Sequence, residues 1–310
     1  MTPLPTAHDE AGWDALCDDE PALAAGITAL LSRHGLAHQP RQRYDSGSLP
    51  VYAVGTQHVL KLFPPSEHAH ATVEARVLAA VQGKLPTPTP QLIAADSHEG
   101  WPYLLMSQLP GQRLVDVWPV LTLAERDRIA DTLGETLAAL HAIDTTPLAG
   151  LPPRWDDFIA EQRASASERQ SQRRLDAHWL ERIPDFLERW MPPRATRHVL
   201  LHTEIMREHL MVDDARLAGL FDFEPAMLGA AEYEFASVGL FVACGNARTL
   251  RRVLLAYGYA PHALDEALQC RFMAHALLHR YSNLRWYLER LPAGDATTLE
   301  QLAIRWWPLH

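Results

Sequence analysis

The chain predicts an α+β fold, a small mainly-β N-terminal part followed by a larger, mainly helical part. Three observations lead there. Strand-like runs gather before residue 108: "RQRYDSGSLPVYAVG", "QHVLKLF" and "PQLIAADSHEGWPYLLMSQL" lie between turn signals. Pro110-Gly111 then breaks the pattern. Beyond it, apolar residues recur at helical spacing, as in Ile129, Leu133, Leu137 and Leu140. The expected organisation is an N-terminal lobe over residues 1–106, a hinge over 107–112 and a C-terminal lobe over 113–310.

Taken in order, Pro21 to His34 reads as a helix, with Leu23, Ile27, Leu30 and Leu31 on one face and Gly35 as its stop. Two strands follow, joined by a turn at Gly55-Thr56; the first contains the small, flexible turn Ser46-Gly47-Ser48. "SEHAHATVEARVLAAVQG" reads as a helix because Val73, Val77 and Ala80 share a face. Two more strands lead to the break. Thr122 and Glu125 form a capping-box pattern that opens a long helix. "PLAGLPPRW" is a linker, and helical stretches are expected around 156–165, 172–190, 231–244, 247–257, 262–291 and 296–306. "HVLL", "HTEIMREH" and "LMVDDARLAGLFDFE" interrupt these helices, the last as a hairpin ending in two acids.

Bulk properties narrow the function. A chain of 310 residues, 47% hydrophobic and 21% charged, has the composition of a folded protein with a real core. A formal net charge of −10 argues against nucleic acid or an anionic membrane as partner and is compatible with a cationic small molecule. The N-terminal stretch has no basic segment followed by an apolar one, and no apolar run approaches membrane-spanning length. Cys17, Cys244 and Cys270 make no CxxC and no disulfide framework. The expectation is a cytoplasmic protein.

Only two lysines occur, Lys61 and Lys84. Lys84 lies in an exposed-looking turn. Lys61 sits mid-strand in "HVLKLF", and a compact ammonium there suits a phosphate oxygen. Phosphoryl transfer needs a loop over the phosphates, a cation on them, a carboxylate for a divalent metal and a carboxylate to orient the acceptor hydroxyl. "DSGSLP", with Ser46, Gly47 and Ser48, can supply the loop and Lys61 the cation. Glu74, on the next helix, can aim Lys61. Asp222 can hold the metal, and Glu204 can act as the base. A zinc site at His202 and His209 is the rival reading. The HExxH order is absent, no third ligand is obvious and the flanking runs look like strands. His202 reads instead as a buried histidine that braces the loop through backbone bonds. Glu208, Asp213, Asp214 and Glu232 read as solvated, and Trp101, Trp118, Trp306 and Trp307 as packing residues. From His202 to Glu234 there are eight acids and two arginines, a lining that would attract metal and a polycationic substrate.

The chain resembles the aminoglycoside phosphotransferase family, with its protein-kinase-like two-lobe fold, and is nearest the hygromycin B phosphotransferase branch. The resemblance rests on "VLKLF" (59–63), "VEARVLAAV" (73–81), "PTPQLIAADSHEGWPYLLMSQLPGQRL" (88–114), "LGETLAALH" (133–141), "LLHTEIMREHLMV" (200–212) and "GLFDFEPAMLGAAEYEFA" (219–236). It implies a small-molecule kinase using ATP or GTP with Mg²⁺ or Mn²⁺. It also implies that the backbone of Ser107 and Leu109 binds the base, with Met106 lining the pocket behind it. Where the family loop reads H-G-D-x-x-x-x-N, this chain has His202-Thr203-Glu204 and, at the second metal position, His209. Glu234 stands where the family has an Asp that supports the loop. These changes read either as a matched repacking or as lost chemistry. The expected acceptor is a hydroxyl of a cationic antibiotic of the hygromycin B type. The alternatives are a metabolic kinase of an amino alcohol or sugar and a nucleotide-binding pseudokinase.

Overall fold

A computed structural model of the chain describes residues 4–45, 47–191, 195 and 197–310. Two units form. One comprises Met1–Gln82, Thr89–Pro110 and Asp222–Pro225, the other Gly83–Pro88, Gly111–Phe221 and Ala226–His310.

In the first unit, α1 (Glu10–Asp18) and α2 (Glu20–Arg33) are capped by Asp9 and Asp19, whose side chains accept from Gly12 and Ala22 N–H. An antiparallel sheet follows, made of β1 (Arg41–Arg43), β2 (Val51–Val54), β3 (His58–Leu62), β4 (Leu92–His98) and β5 (Trp101–Ser107) in the order β1-β2-β3-β5-β4. α3 (His68–Val81) comes between β3 and β4 in the chain. The apolar face of α2, Leu23, Ile27, Leu30 and Leu31, shares a core with Tyr52, Leu60, Leu62, Trp101 and Leu105 of the sheet. Burying each such leucine or isoleucine contributes roughly 1.5–3 kcal/mol. Side chains alternate across a strand. With Leu60 and Leu62 committed to that core, Lys61 points to the opposite face.

The second unit begins with β6 (Gln112–Arg113), α4 (Leu114–Val117) and α5 (Leu123–His141), whose Thr122–Glu125 capping box is formed. Then come α6 (Trp155–Gln172), α7 (Ala177–Leu180), α8 (Ile183–Trp190), β7 (Val199–Leu201), β8 (Leu210–Asp213), β9 (Arg216–Leu220), β10 (Met227–Gly229), α9 (Glu234–Ser237), α10 (Ala247–Tyr257), α11 (Glu266–Leu278), α12 (Leu284–Arg290) and α13 (Leu299–Trp306). Gly134 lets α5 approach α10 closely, since a Cβ there would collide with the Val253 carbonyl oxygen. β7 pairs antiparallel with β10, and β8 pairs with both β6 and β9. Segment 202–209 therefore leaves one ribbon and enters another, anchored at both ends.

Three helical expectations change. The helix expected over 262–291 is two helices. His279 leaves α11 with φ −62° and ψ 143°. Asn283 caps α12 by accepting from Trp286 N–H. Buried Gln170 holds the break, donating to Ser282 Oγ and accepting from Leu284 N–H. The stretch 172–190 is broken because Arg174, at φ 57°, ends the helical course of α6. The stretch 231–244 is a 3₁₀ turn, α9 and a π-helical segment, Val238–Ala243, closed by Cys244 at φ 50°. α1 lies outside the expected elements altogether. Among the described residues, no helix is long and apolar enough to cross a membrane.

Candidate active site

On the face of β3 opposite α2, Lys61 meets Glu74 of α3; the two residues are 5% and 1% exposed. Lys61 Nζ lies 2.9 Å from Glu74 Oε2, 2.6 Å from Asp222 Oδ1 and 2.9 Å from Glu224 Oε2. Asp222, at φ 71°, turns the chain through the left-handed region. Phe223 N–H donates to Glu74 Oε1 at 3.3 Å, tying that turn to α3. Burial works against the ammonium charge, but Asp222, Glu74 and Glu224 outweigh it and hold the Lys61 pKa well above its usual value. Burial, opposed by Lys61 and reinforced by Asp222 and Glu224, pushes the Glu74 carboxyl up to about 7.

One ammonium against three carboxylates leaves a surplus of negative charge. Ligand oxygens of Glu74, Asp222 and Glu224 lie within 4.8 Å of one another. Glu74 Oε2 and Glu224 Oε2 are buried and accept no hydrogen bond of good geometry among the described residues, although each stands within ion-pair distance of Lys61. Hard oxygen donors carrying uncompensated charge fit Mg²⁺ or Mn²⁺.

Of the other expected nucleotide contacts, Gly47 is at φ 111° and Ser48 is exposed, while Ser46 lies outside the described residues. Met106 is buried in β5. Ser107 donates its N–H to the Gln91 carbonyl, and its Oγ accepts from Gln91 N–H, both at 2.9 Å. Leu109, half-buried, follows two residues later.

In the second unit, Glu234 is fully buried and reaches back to the loop that begins at His202. Its Oε2 accepts from His202 N–H at 2.7 Å and its Oε1 from Thr203 N–H at 2.8 Å. Thr203 has φ 74°. For a β-branched residue that conformation is an outlier, costing about 1–3 kcal/mol unless its surroundings over-determine it. Here Glu234 grips its N–H, and His279 Nε2 donates to its carbonyl at 3.1 Å. His202 Nδ1 accepts from Glu204 N–H at 3.3 Å, so its Nε2–H donates to the Phe221 carbonyl at 2.8 Å. That is the bracing role expected of His202. His209 Nδ1–H donates to the Glu204 carbonyl at 2.9 Å. Its ring centroid lies 6.0 Å from that of His202 and 5.8 Å from that of Phe221. Burial raises the pKa of Tyr287, opposed by a hydrogen bond with the Asn283 backbone and reinforced by the negative charge of Glu204.

Three residues of these clusters escaped the sequence. Glu224 had a signal, as the second acid of "DFE". His279 had none: it sits 76 positions from Thr203, inside what reads as a continuous helix. Arg207 stacks its guanidinium 3.9 Å from the centroid of Trp118 and donates from Nε and Nη2 to the Val242 carbonyl at 3.0 and 2.6 Å. Trp118 is therefore a half-buried stacking platform rather than core, whereas Trp101, Trp306 and Trp307 are fully buried. Glu232 is likewise only half-exposed, because Arg271 pairs with it at 2.8 Å.

Compared with known proteins, residues 41–267 match the model of a family described as the phosphotransferase enzyme family. Among solved structures, the GDP complex of wild-type aminoglycoside 2'-phosphotransferase-IIIa superposes with a TM-score of 0.68 at 19% identity, covering 92% of this chain and 96% of that one. The apoenzyme of a macrolide 2'-phosphotransferase from Brachybacterium faecium gives a TM-score of 0.61 at 21% identity, over 91% and 98%. An aminoglycoside phosphotransferase in ternary complex with streptomycin and ATP gives 0.62 at 15%, over 90% and 97%. At these identities the likeness is one of fold, and it is the expected kinase-like α+β class. No curated protein sequence matches the chain.

Proposed function

The chain belongs to the phosphotransferase enzyme family, and on that premise we propose that it transfers the terminal phosphoryl group of ATP or GTP to a hydroxyl of a small cationic antibiotic. An aminoglycoside of the hygromycin B type is the first candidate. The observation that carries this reading is the buried Lys61 ammonium held by Glu74, Asp222 and Glu224. A charge kept this firmly in place binds phosphate oxygens without having to be ordered first.

In this proposal Lys61 takes the phosphates, Glu74 aims it, and Gly47, with Ser46 and Ser48 beside it, covers them. Ser107 and Leu109 read the base through their backbone, and Met106 lines the pocket behind. Asp222 and Glu224 would hold the divalent cation, which when bound supplies positive charge to the transferring phosphoryl group. His209 would offer it an imidazole nitrogen, a donor better matched to Mn²⁺ than to Mg²⁺. Glu204 accepts the hydrogen bond of the acceptor hydroxyl, orients it in line and takes its proton as the new P–O bond forms and the bond from the terminal phosphorus to the bridging oxygen breaks, releasing the nucleoside diphosphate. The two-point grip of Glu234 on the loop supports a working site. Glu204 and Glu234 each carry one methylene more than the aspartates they replace, and Glu234 spends that reach on the backbone of residues 202 and 203.

Labelled ATP and Mg²⁺ with a panel of hygromycin B, other aminoglycosides, a macrolide and choline tests the reading. Transfer to an aminoglycoside supports it. Transfer only to the macrolide or to choline replaces the acceptor. Stabilisation by ATP without transfer to any of them moves the pseudokinase ahead.

A further inference from the structure

Thr203 is held from two sides. Glu234 accepts its N–H at 2.8 Å, and His279 Nε2 reaches its carbonyl at 3.1 Å. Glu204 is the next residue, so the peptide that His279 grips is the one that carries the proposed base. The histidine is itself well fixed. It is 5% exposed and ends α11, and its ring stacks on Tyr233 at 5.1 Å with an 18° interplanar angle. Tyr281 N–H donates to its Nδ1 at 3.3 Å, which leaves the proton on Nε2, directed at Thr203. Tyr233 is anchored in turn, its hydroxyl accepting from Arg280 N–H at 3.1 Å. Burial, the dominant influence, drops the His279 pKa to about 4, so near neutrality the ring is an uncharged donor with one fixed tautomer.

We propose that His279 is a positioning residue for phosphoryl transfer: the hydrogen bond from its Nε2–H to the Thr203 carbonyl keeps Thr203 in the left-handed region and thereby aims Glu204. The physical need comes from the residue type at 203. A glycine at 203 would adopt φ 74° without strain, whereas a β-branched residue relaxes toward negative φ unless both flanking peptide groups are held. Relaxation rotates the 203–204 peptide and swings the carboxylate away from its aim, and a displacement near 1 Å costs about a hundredfold in rate. The proposal rests on Glu204 as the base.

Three variants test it. His279→Phe keeps the ring on Tyr233 and removes the donor; His279→Gln restores an N–H at a similar reach. Thr203→Gly removes the strain that the bond opposes. Amide hydrogen exchange over residues 202–204, with α5 amides as control, is read beside kcat and KM for Mg·ATP turnover. His279→Phe should speed exchange at 202–204 at least tenfold without changing α5, and lower kcat roughly 10–100-fold with KM for ATP within about twofold. His279→Gln should recover most of both. In the Thr203→Gly background the same His279→Phe change should cost only a few-fold, a non-additivity that a merely structural histidine would not show. Unchanged exchange at 202–204 in His279→Phe overturns the proposal, as does an equal loss in both backgrounds. Glu204→Gln separates the two readings. If that variant keeps wild-type kcat while His279→Phe still loosens 202–204, the base assignment fails and the clamp stands.

Discussion

Replacing Lys61 by methionine keeps the stem of the side chain and deletes the charge that three carboxylates share. Glu74, at 1% exposure, is left facing Asp222 and Glu224, with ligand oxygens within 4.8 Å and no cation between them. Breaking a buried ion pair from one side costs about 3–5 kcal/mol, because the remaining charge is stranded. Asp222 and Glu224 are partly solvated, with 27% and 18% of their side-chain surface exposed, so the lower end, about 3 kcal/mol, is expected at neutral pH. That corresponds to a fall of several degrees in melting temperature. Divalent cation should reverse much of it. The vacated corner is a purely acidic oxygen site, and Mg²⁺ at about a hundred times its Kd would return about 2.7 kcal/mol. The assay is thermal melting of wild type and Lys61→Met with and without millimolar Mg²⁺, beside binding of a fluorescent ATP analogue. The expected pattern is a lower melting point, a larger Mg²⁺-dependent rise than in wild type, and lost nucleotide affinity. Equal melting points and equal Mg²⁺ responses would show that the four charges do not act on one another, and the reasoning from this cluster would be wrong.

Glu204→Asp should reduce turnover by roughly one to two orders of magnitude, since it withdraws the carboxylate by one methylene, and Glu204→Gln should lose at least as much. A gain in Glu204→Asp would mark the native loop as degraded. Asp222→Asn should abolish metal-dependent nucleotide binding, measured by calorimetry with Mg²⁺ present and absent. His209→Asn should move metal preference from Mn²⁺ toward Mg²⁺, and identical preference would remove His209 from the ion. Burial first, then neighbouring cations, lowers the pKa of His275 to about 3, and burial lowers His279 to about 4; both sit below the unfolded value near 6.5. The stability these neutral rings contribute is present above about pH 6.5 and drains away as pH falls through 4 toward 3. Urea midpoints between pH 7 and 4 should therefore fall less steeply in His279→Gln than in wild type; parallel curves would refute the assignment.

What the sequence determined by itself was local or periodic. Lys61 stood out as one of only two lysines, set mid-strand in "HVLKLF", and helical spacing put Val73, Val77 and Ala80 on a shared face. The order of strands, break and helices followed from turn residues and helical spacing. Lys61, Glu74 and Asp222 were legible because each combines an informative residue type with an ordered place in the chain, and they do converge. Tertiary structure decided what no local pattern encodes. Glu224 joined Lys61 across a chain separation of more than 160 residues because the left-handed turn at Asp222 folds the "DFE" segment back onto α3. The helix over 262–291 was broken by a buried glutamine from α6, which no spacing of apolar residues could announce. That break frees His279 to leave helical geometry and reach Thr203. Helical periodicity reports which face of a segment is apolar. Whether a segment stays helical to its end depends on what fills the space beside it, and that space exists only once distant elements have packed.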